Sequence, residues 1–226
     1  MSALIRMRLA GFVRSGRALP PFIAVLVELG VIHGGGASPA GVAYGYSAAV
    51  LFPVLAWQTK LLLDTEPDVQ RRLVRTAVGV RREAVAGVLA AAFLALLVCL
   101  LAMLTPWLLG AIDTTRSPLT GTVLGGLAHL LALLPALAVG ALAGRAITRN
   151  VRNGVTVLVA AGVLVIVLGL RGSVAPWLVP PVMAMARALN DHAVPPAGTI
   201  GLLAAWTAAW CAAAFTGYAR LRRERA

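Results

Sequence analysis

The sequence predicts an all-α, polytopic membrane protein with six transmembrane helices. Three observations carry that prediction. The 226 residues are 60% hydrophobic and only 12% charged, with a mean hydropathy of +0.88, whereas soluble domains usually carry roughly 25% charged residues. The apolar residues come in long continuous runs, not in the alternating segments of about 10 residues that make a membrane barrel. The basic residues fall on every second connection between those runs. A chain with so little polar material cannot clothe a core in a polar surface, so lipid must cover much of it. Helices suit that environment because they satisfy their own backbone hydrogen bonds.

A helix needs roughly 17–25 residues to cross the hydrocarbon core. Six runs are read as spans, at about 18–33, 42–63, 84–106, 119–144, 153–170 and 198–219, the first of them just short of that length. Glu28 alone interrupts the first, Asp113 is the one charge between Ala84 and Thr115, and His129 is the one titratable group between Ser117 and Gly144. The Arg-rich start followed by small residues at Ala37–Ala40 also resembles a signal peptide. The long basic region and Glu28 favour a retained first helix instead. The chain reads as a single transmembrane domain over 1–226, with three special segments at 1–17, 64–83 and 171–197.

In the first 17 residues, Ile5, Leu9 and Phe12 recur at helical spacing while Arg6, Arg14 and Arg17 point elsewhere, which predicts an amphipathic helix lying at the interface. In 64–83, Asp64 or Thr65 can cap a helix and Pro67 suits its first turn. Val69, Leu73 and Thr76 then line one side, and Arg71, Arg72 and Arg75 line another. The acids Asp64, Glu66 and Asp68 precede those arginines, the order that the helix dipole favours. Segment 171–197 is partly apolar yet contains five prolines. Pro176, Pro180 and Pro181 forbid one continuous helix, so two short elements dipping into the membrane are expected, one of them over Val182–Leu189, with Trp177 at the interface.

Of the 20 basic residues, all but Arg116, Arg171 and Arg187 lie before the first span, at the end of the second span or between it and the third, between the fourth and fifth, or after the sixth. The excess of Lys and Arg on cytoplasmic loops therefore predicts that both termini are cytoplasmic. The net charge of +12 is accounted for by topology and by anionic headgroups of membrane lipid. No nucleic-acid motif accompanies it, and none is expected to bind.

Catalytic motifs are missing. The G-x-x-x-x-G-K-[ST] loop is absent, the only lysine being Lys60, and neither HExxH nor CxxC occurs. His33, His129 and His192 are scattered over different segments. No metal and no cofactor are expected. Cys99 and Cys211 both fall inside spans, where small apolar packing is the expected role.

An N-terminal interfacial helix, six spans, a polar helix between spans two and three, and broken apolar elements before span six together resemble the permease subunit of an ABC-2-type (type V) exporter. The stretch PDVQRRLVRTAVGVRREAVAGVL at 67–89 resembles that family's cytoplasmic coupling region entering the third span. The likeness is one of layout and composition over nearly the whole chain. It implies a chain that is not itself an enzyme, a separate cytoplasmic ATPase subunit, and a second permease copy, either identical or related. It also implies that a hydrophobic or amphiphilic compound (drug, peptide or lipid-like) is exported across the cell membrane. Residue usage rich in Ala, Leu, Val and Arg is reminiscent of high-GC actinobacteria. The coupling contacts implied are Val69, Arg71, Arg72, Leu73 and Arg75, and the first, second and fifth spans would line the route.

The candidate pathway residues are Glu28, Tyr44, Tyr46, Trp57 and Gln58. A carboxylate such as Glu28 inside a span is costly and faces protein or water; it serves either substrate or proton contact, or a structural partner such as His129. Tyr44 and Tyr46 fit an outer aromatic belt and Trp57 an inner one. Gly140 and Gly144 match the small-xxx-small pattern of helix association. Two alternatives to export stay open: a membrane-embedded enzyme acting on lipid, and a structural or assembly protein.

Overall fold

The computed structural model describes residues 1–115, 118–191 and 194–224. Arg116, His192 and Arg225, which belong to the charge and histidine patterns, lie outside the described residues. The order is α1 (Ser2–Arg14), α2 (Leu19–His33), β1 (Ser38–Pro39), α3 (Ala40–Leu63), α4 (Asp68–Val78), α5 (Val80–Leu108), β2 (Ile112–Asp113), α6 (Pro118–Leu142), α7 (Arg145–Thr148), α8 (Val151–Leu168), a 3₁₀ turn (Pro176–Leu178), α9 (Val182–Asp191) and α10 (Ala197–Glu224).

Among the described residues, five helices are long and apolar enough to cross a membrane: α3, α5, α6 with α7, α8 and α10. The first expected span, 18–33, is as short in the structure as in the sequence. α2 has 15 residues, about 22 Å at 1.5 Å per residue, against a core of about 30 Å. It qualifies only with α1, from which it is bent by 77°. Gly16, at φ +71°, makes the corner, a conformation that costs glycine little. α1 is two-sided: Phe12 is fully buried, Ile5 and Leu9 pack on the core, and Arg6 and Arg14, like Arg17 after it, are exposed.

The pair α3–α6 forms the centre. Within their most apolar stretches, 61% of α3 and 67% of α6 is buried, against 11% of α8 and 17% of α10. The reason is a stripe of small residues on α6: Gly121, Gly125, Ala128, Ala132, Ala136 and Gly140 recur every three or four positions and are buried. Such a stripe lets two backbones approach closely. A Cβ on Gly121 would lie 2.8 Å from the Ala40 Cβ, one on Gly125 would enter the Tyr44 ring, and one on Gly140 would strike Ala56 and Thr59. Gly140 therefore serves close helix packing inside the chain. The outward faces of α2, α5, α8 and α10 carry exposed Leu, Val and Phe, as lipid-facing helices do.

The helices alternate between two ends. At one, which we call the basic end, lie α1, the α3–α4–α5 connection, α7 and the last turns of α10. At the other, β1 pairs in parallel with β2, Ser38 opposite Ile112, tying the start of α3 to the end of α5. Residues 171–191 and 194–197 sit at this far end, where a 3₁₀ turn and α9 are separated by irregular backbone. The Ala186 and Leu189 backbone of α9 lies over Gly41 and Gly45 of α3, the Arg187 guanidinium donates to the Gly169 carbonyl, and Trp210 Nε1 donates to the Leu178 carbonyl at 2.9 Å. Trp177 is exposed. Cys99 and Cys211 are free and buried.

The packing of α3 on α6 gives a direct expectation. Gly→Ala in a helix normally gains about 1 kcal/mol, and at Gly201, whose Cβ meets nothing within 4 Å, Gly201→Ala should hold or raise the thermal midpoint of the purified protein. Gly140→Ala should lower it, because overpacking costs about 1–3 kcal/mol.

Candidate functional site: a buried ionic hub beneath an exposed helix

Four of the eight acidic residues fall between Asp64 and Glu83. The fold gathers three of them into one buried hub at the basic end. Glu83, in the first turn of α5, is 1% exposed. Arg8 of α1 and Arg222 of α10 both donate to its carboxylate, and Arg75 of α4 approaches at 3.4 Å. Gly87, one turn further along α5, leaves the space that the Arg8 guanidinium and Leu63 occupy; a Cβ there would collide with both. Arg222 also donates to the Tyr218 hydroxyl and lies 5.6 Å from the centre of its ring.

Glu66 holds Arg8 from a second side as a two-pronged pair, Nε–Oε1 3.0 Å and Nη2–Oε2 2.8 Å, the fork geometry that favours Arg over Lys. Asp64 completes the hub. It takes Lys60 Nζ at 2.7 Å and the backbone N–H of Arg145 at 2.7 Å. So Asp64 caps α7, not α4, and Thr65 bonds back to the Leu61 carbonyl. α4 starts at Asp68 behind Pro67. The last carbonyls of α3 and its exit are taken by arginine side chains: Leu63 O by Arg71 at 3.1 Å, and Asp64 O by Arg17 and by Arg145, each at 2.9 Å. These are orphan acceptors at a negative helix end, where cations belong.

α4 rides on this hub and its residues divide. Arg71 is buried; burial pulls its guanidinium down from the usual value, against the raising pull of Asp68, Glu83 and Asp64. Arg75 is half-buried against Glu83. Val69 and Leu73 are 72% and 65% exposed, and Arg72 is exposed beside them. Arg71 and Arg75 thus anchor the helix, and Val69, Arg72 and Leu73 form its uncovered face.

The candidate pathway residues do not form a cluster. Among the described residues, no hydrogen bond joins the side chains of Glu28, Tyr44, Tyr46, Trp57 and Gln58 to one another. Tyr44 is fully buried, its hydroxyl donating to the Met103 carbonyl at 2.9 Å, because Gly125 leaves a recess for the ring. That corrects its place in an aromatic belt; Tyr46, 48% exposed, keeps an outward position, and Trp57 is half-buried. Glu28 is half-buried and Gln58 buried, and Glu28 Oε2 and Gln58 Nε2 are enclosed without a hydrogen-bond partner. His129 does not bond Glu28. It sits between the Gly125 carbonyl at 2.8 Å and Ser47 Oγ at 3.2 Å, with the Tyr44 ring edge-on at 6.1 Å, a packed and satisfied histidine. Among the described residues no group of three His, Cys, Asp or Glu is placed to hold a metal ion.

Sequence reasoning passed over Arg8, Glu66, Glu83 and Arg222 as site residues. The readable signal was the concentration of acids at 64–83 in a strongly basic chain. Arg222 was counted only as a topology charge, and α10 runs on to Glu224, beyond the expected end near 219, to deliver it.

Fold and hub together define a helical, membrane-embedded protein whose basic end is locked by buried charge. Comparison with protein-family models, curated proteins and solved structures gives no match.

Removing the shared acid should be far more damaging than removing a surface pair. Glu83→Gln leaves three guanidinium groups without their common counter-charge, and breaking a buried pair costs about 3–5 kcal/mol. Asp191→Asn, in the exposed pair with Arg171, should cost at most about 1 kcal/mol. Thermal unfolding of the two variants in the same detergent measures the difference.

Proposed function

We propose that the chain is the transmembrane permease subunit of an ABC-2-type exporter, working with a separate cytoplasmic ATPase and a second permease copy. In this reading the basic end faces the cytoplasm, both termini lie there, and α4 is the element that receives the ATPase. The cargo would be a hydrophobic or amphiphilic compound leaving the cell.

The observation that supports the reading most is the division of α4. Its outward face, Val69, Arg72 and Leu73, is uncovered, while Arg71 and Arg75 fasten it to a hub shared by α1, α5 and α10. A push on α4 would be passed through Glu83 to three other elements at once, since charges held in one network move together or lose their partners. A merely solvated connector needs no such fastening. The orientation is supported by the meeting of four basic segments at one end of the fold.

The test is co-purification with a cytoplasmic ATPase encoded beside it. Wild type should retain the ATPase, and Arg72→Glu combined with Leu73→Asp should abolish retention while leaving the unfolding free energy within about 1 kcal/mol of wild type, as expected for exposed positions. An ATPase that never binds, or that binds the double variant equally well, contradicts the coupling role.

A further inference from the structure

Between the first turns of α5 and the last turns of α10, a groove of about 560 Å³ opens sideways at the basic end. Its polarity is graded along both helices. Arg81, Arg222 and Arg223 stand at its mouth, and Val85, Leu89 and Phe215 line it further in. From Arg81 to Leu89 is about 12 Å along the helix axis. Val85 and Leu89 are 41% and 46% exposed, so the apolar part is open to whatever surrounds the bundle.

The charges at the mouth are available. Arg81 and Arg223 are exposed and make no ion pair among the described residues. Arg222 is only 5% exposed. Its two Nη groups serve Glu83 and the Tyr218 hydroxyl, and its Nε is buried without a hydrogen-bond partner.

We propose that this groove binds an anionic phospholipid of the surrounding leaflet. The phosphate sits among Arg81, Arg223 and the spare Nε of Arg222, and one acyl chain lies along Val85, Leu89 and Phe215. Cations at one end and an apolar trough whose far end lies about 12 Å from Arg81 match a headgroup joined to a chain. A second copy of the protein is a poorer occupant, because Asp64, Glu66 and Glu83, the buried acids at this end, are already engaged in the hub. The site also gives lipid a direct contact with the hub through Arg222. The proposal needs only that the chain lies in a membrane, so it stands or falls separately from the transport reading.

The experiment places the full chain in vesicles of phosphatidylcholine and phosphatidylglycerol in equal parts. The protein is then extracted in mild detergent, and bound lipid is counted by native mass spectrometry. Phosphatidylglycerol should be retained in preference to phosphatidylcholine. Each surface cation adds about a factor of five in attraction for anionic lipid, so Arg81→Ala with Arg223→Ala should weaken retention about 30-fold. Leu89→Trp, which fills the trough and leaves the arginines, should lose the lipid as well; all three positions are outside the hub, so folding is preserved. Equal retention of both lipids by wild type, or undiminished retention by the double variant, overturns the proposal. So does inorganic phosphate raising the thermal midpoint as much as phosphatidylglycerol does, which would assign the mouth to a free anion. A double variant that turns monomeric while keeping its lipid would instead make the groove a contact between copies, and also overturns it.

Discussion

Glu83 is a carboxylate shut away from water among three guanidinium groups, each carried by a different helix. Taking such charges out of water costs several kcal/mol per ion unless every one finds partners. The structure meets that demand only when α1, α4, α5 and α10 arrive together, since Arg8, Arg75 and Arg222 have no common partner elsewhere. The hub therefore acts as an all-or-none constraint on the basic end. Glu66 and Asp64 extend it to the exit of α3 and to α7, and arginine side chains take the α3 carbonyls that the helix itself leaves open. The buried arginines add to the apolar contacts of α1 and of the tail of α10, where Phe12 and Tyr218 are buried.

The middle of the molecule is held by a different kind of force. In lipid, apolar burial gives helices little reason to associate, and close packing takes over. The small-residue stripe on α6 supplies it, bringing the α3 backbone near enough for Tyr44 to fill the recess at Gly125. The peripheral helices α8 and α10 lack such a stripe against the core and keep broad apolar faces outward. Charge at one end and small-residue packing at the centre thus divide the work, and the broken segment with α9 closes the far end.

Much of this architecture is legible in the sequence because it follows from local rules. Helix type and number come from run length, the special segments from proline and arginine placement, and the alternation of ends from the positive charges. The boundaries of α3 and α8 fall within about two residues of expectation. What the sequence hides is pairing across long separations. Arg222 and Glu83 are 139 positions apart, and nothing local distinguishes Arg222 from Arg220 or Arg223. Tyr44 and Tyr46 look alike in a string; only the recess made by Gly125, 81 residues away, buries one and leaves the other outside. Gly140 is ambiguous for the same reason: small residues promise close approach without naming the partner helix. The sharp corner at Gly16 is equally hidden, since hydropathy does not register it.

If the hub, rather than apolar contact, holds the basic end together, its loss should loosen that end selectively. Hydrogen–deuterium exchange of Glu83→Gln against wild type, in lipid nanodiscs, measures this directly. The account predicts faster exchange in Ser2–Arg14, Asp68–Val78 and the last two turns of α10, with α3 and α6 unchanged across the small-residue stripe. Exchange that is unaltered at the basic end, or raised equally throughout α3 and α6, would contradict it.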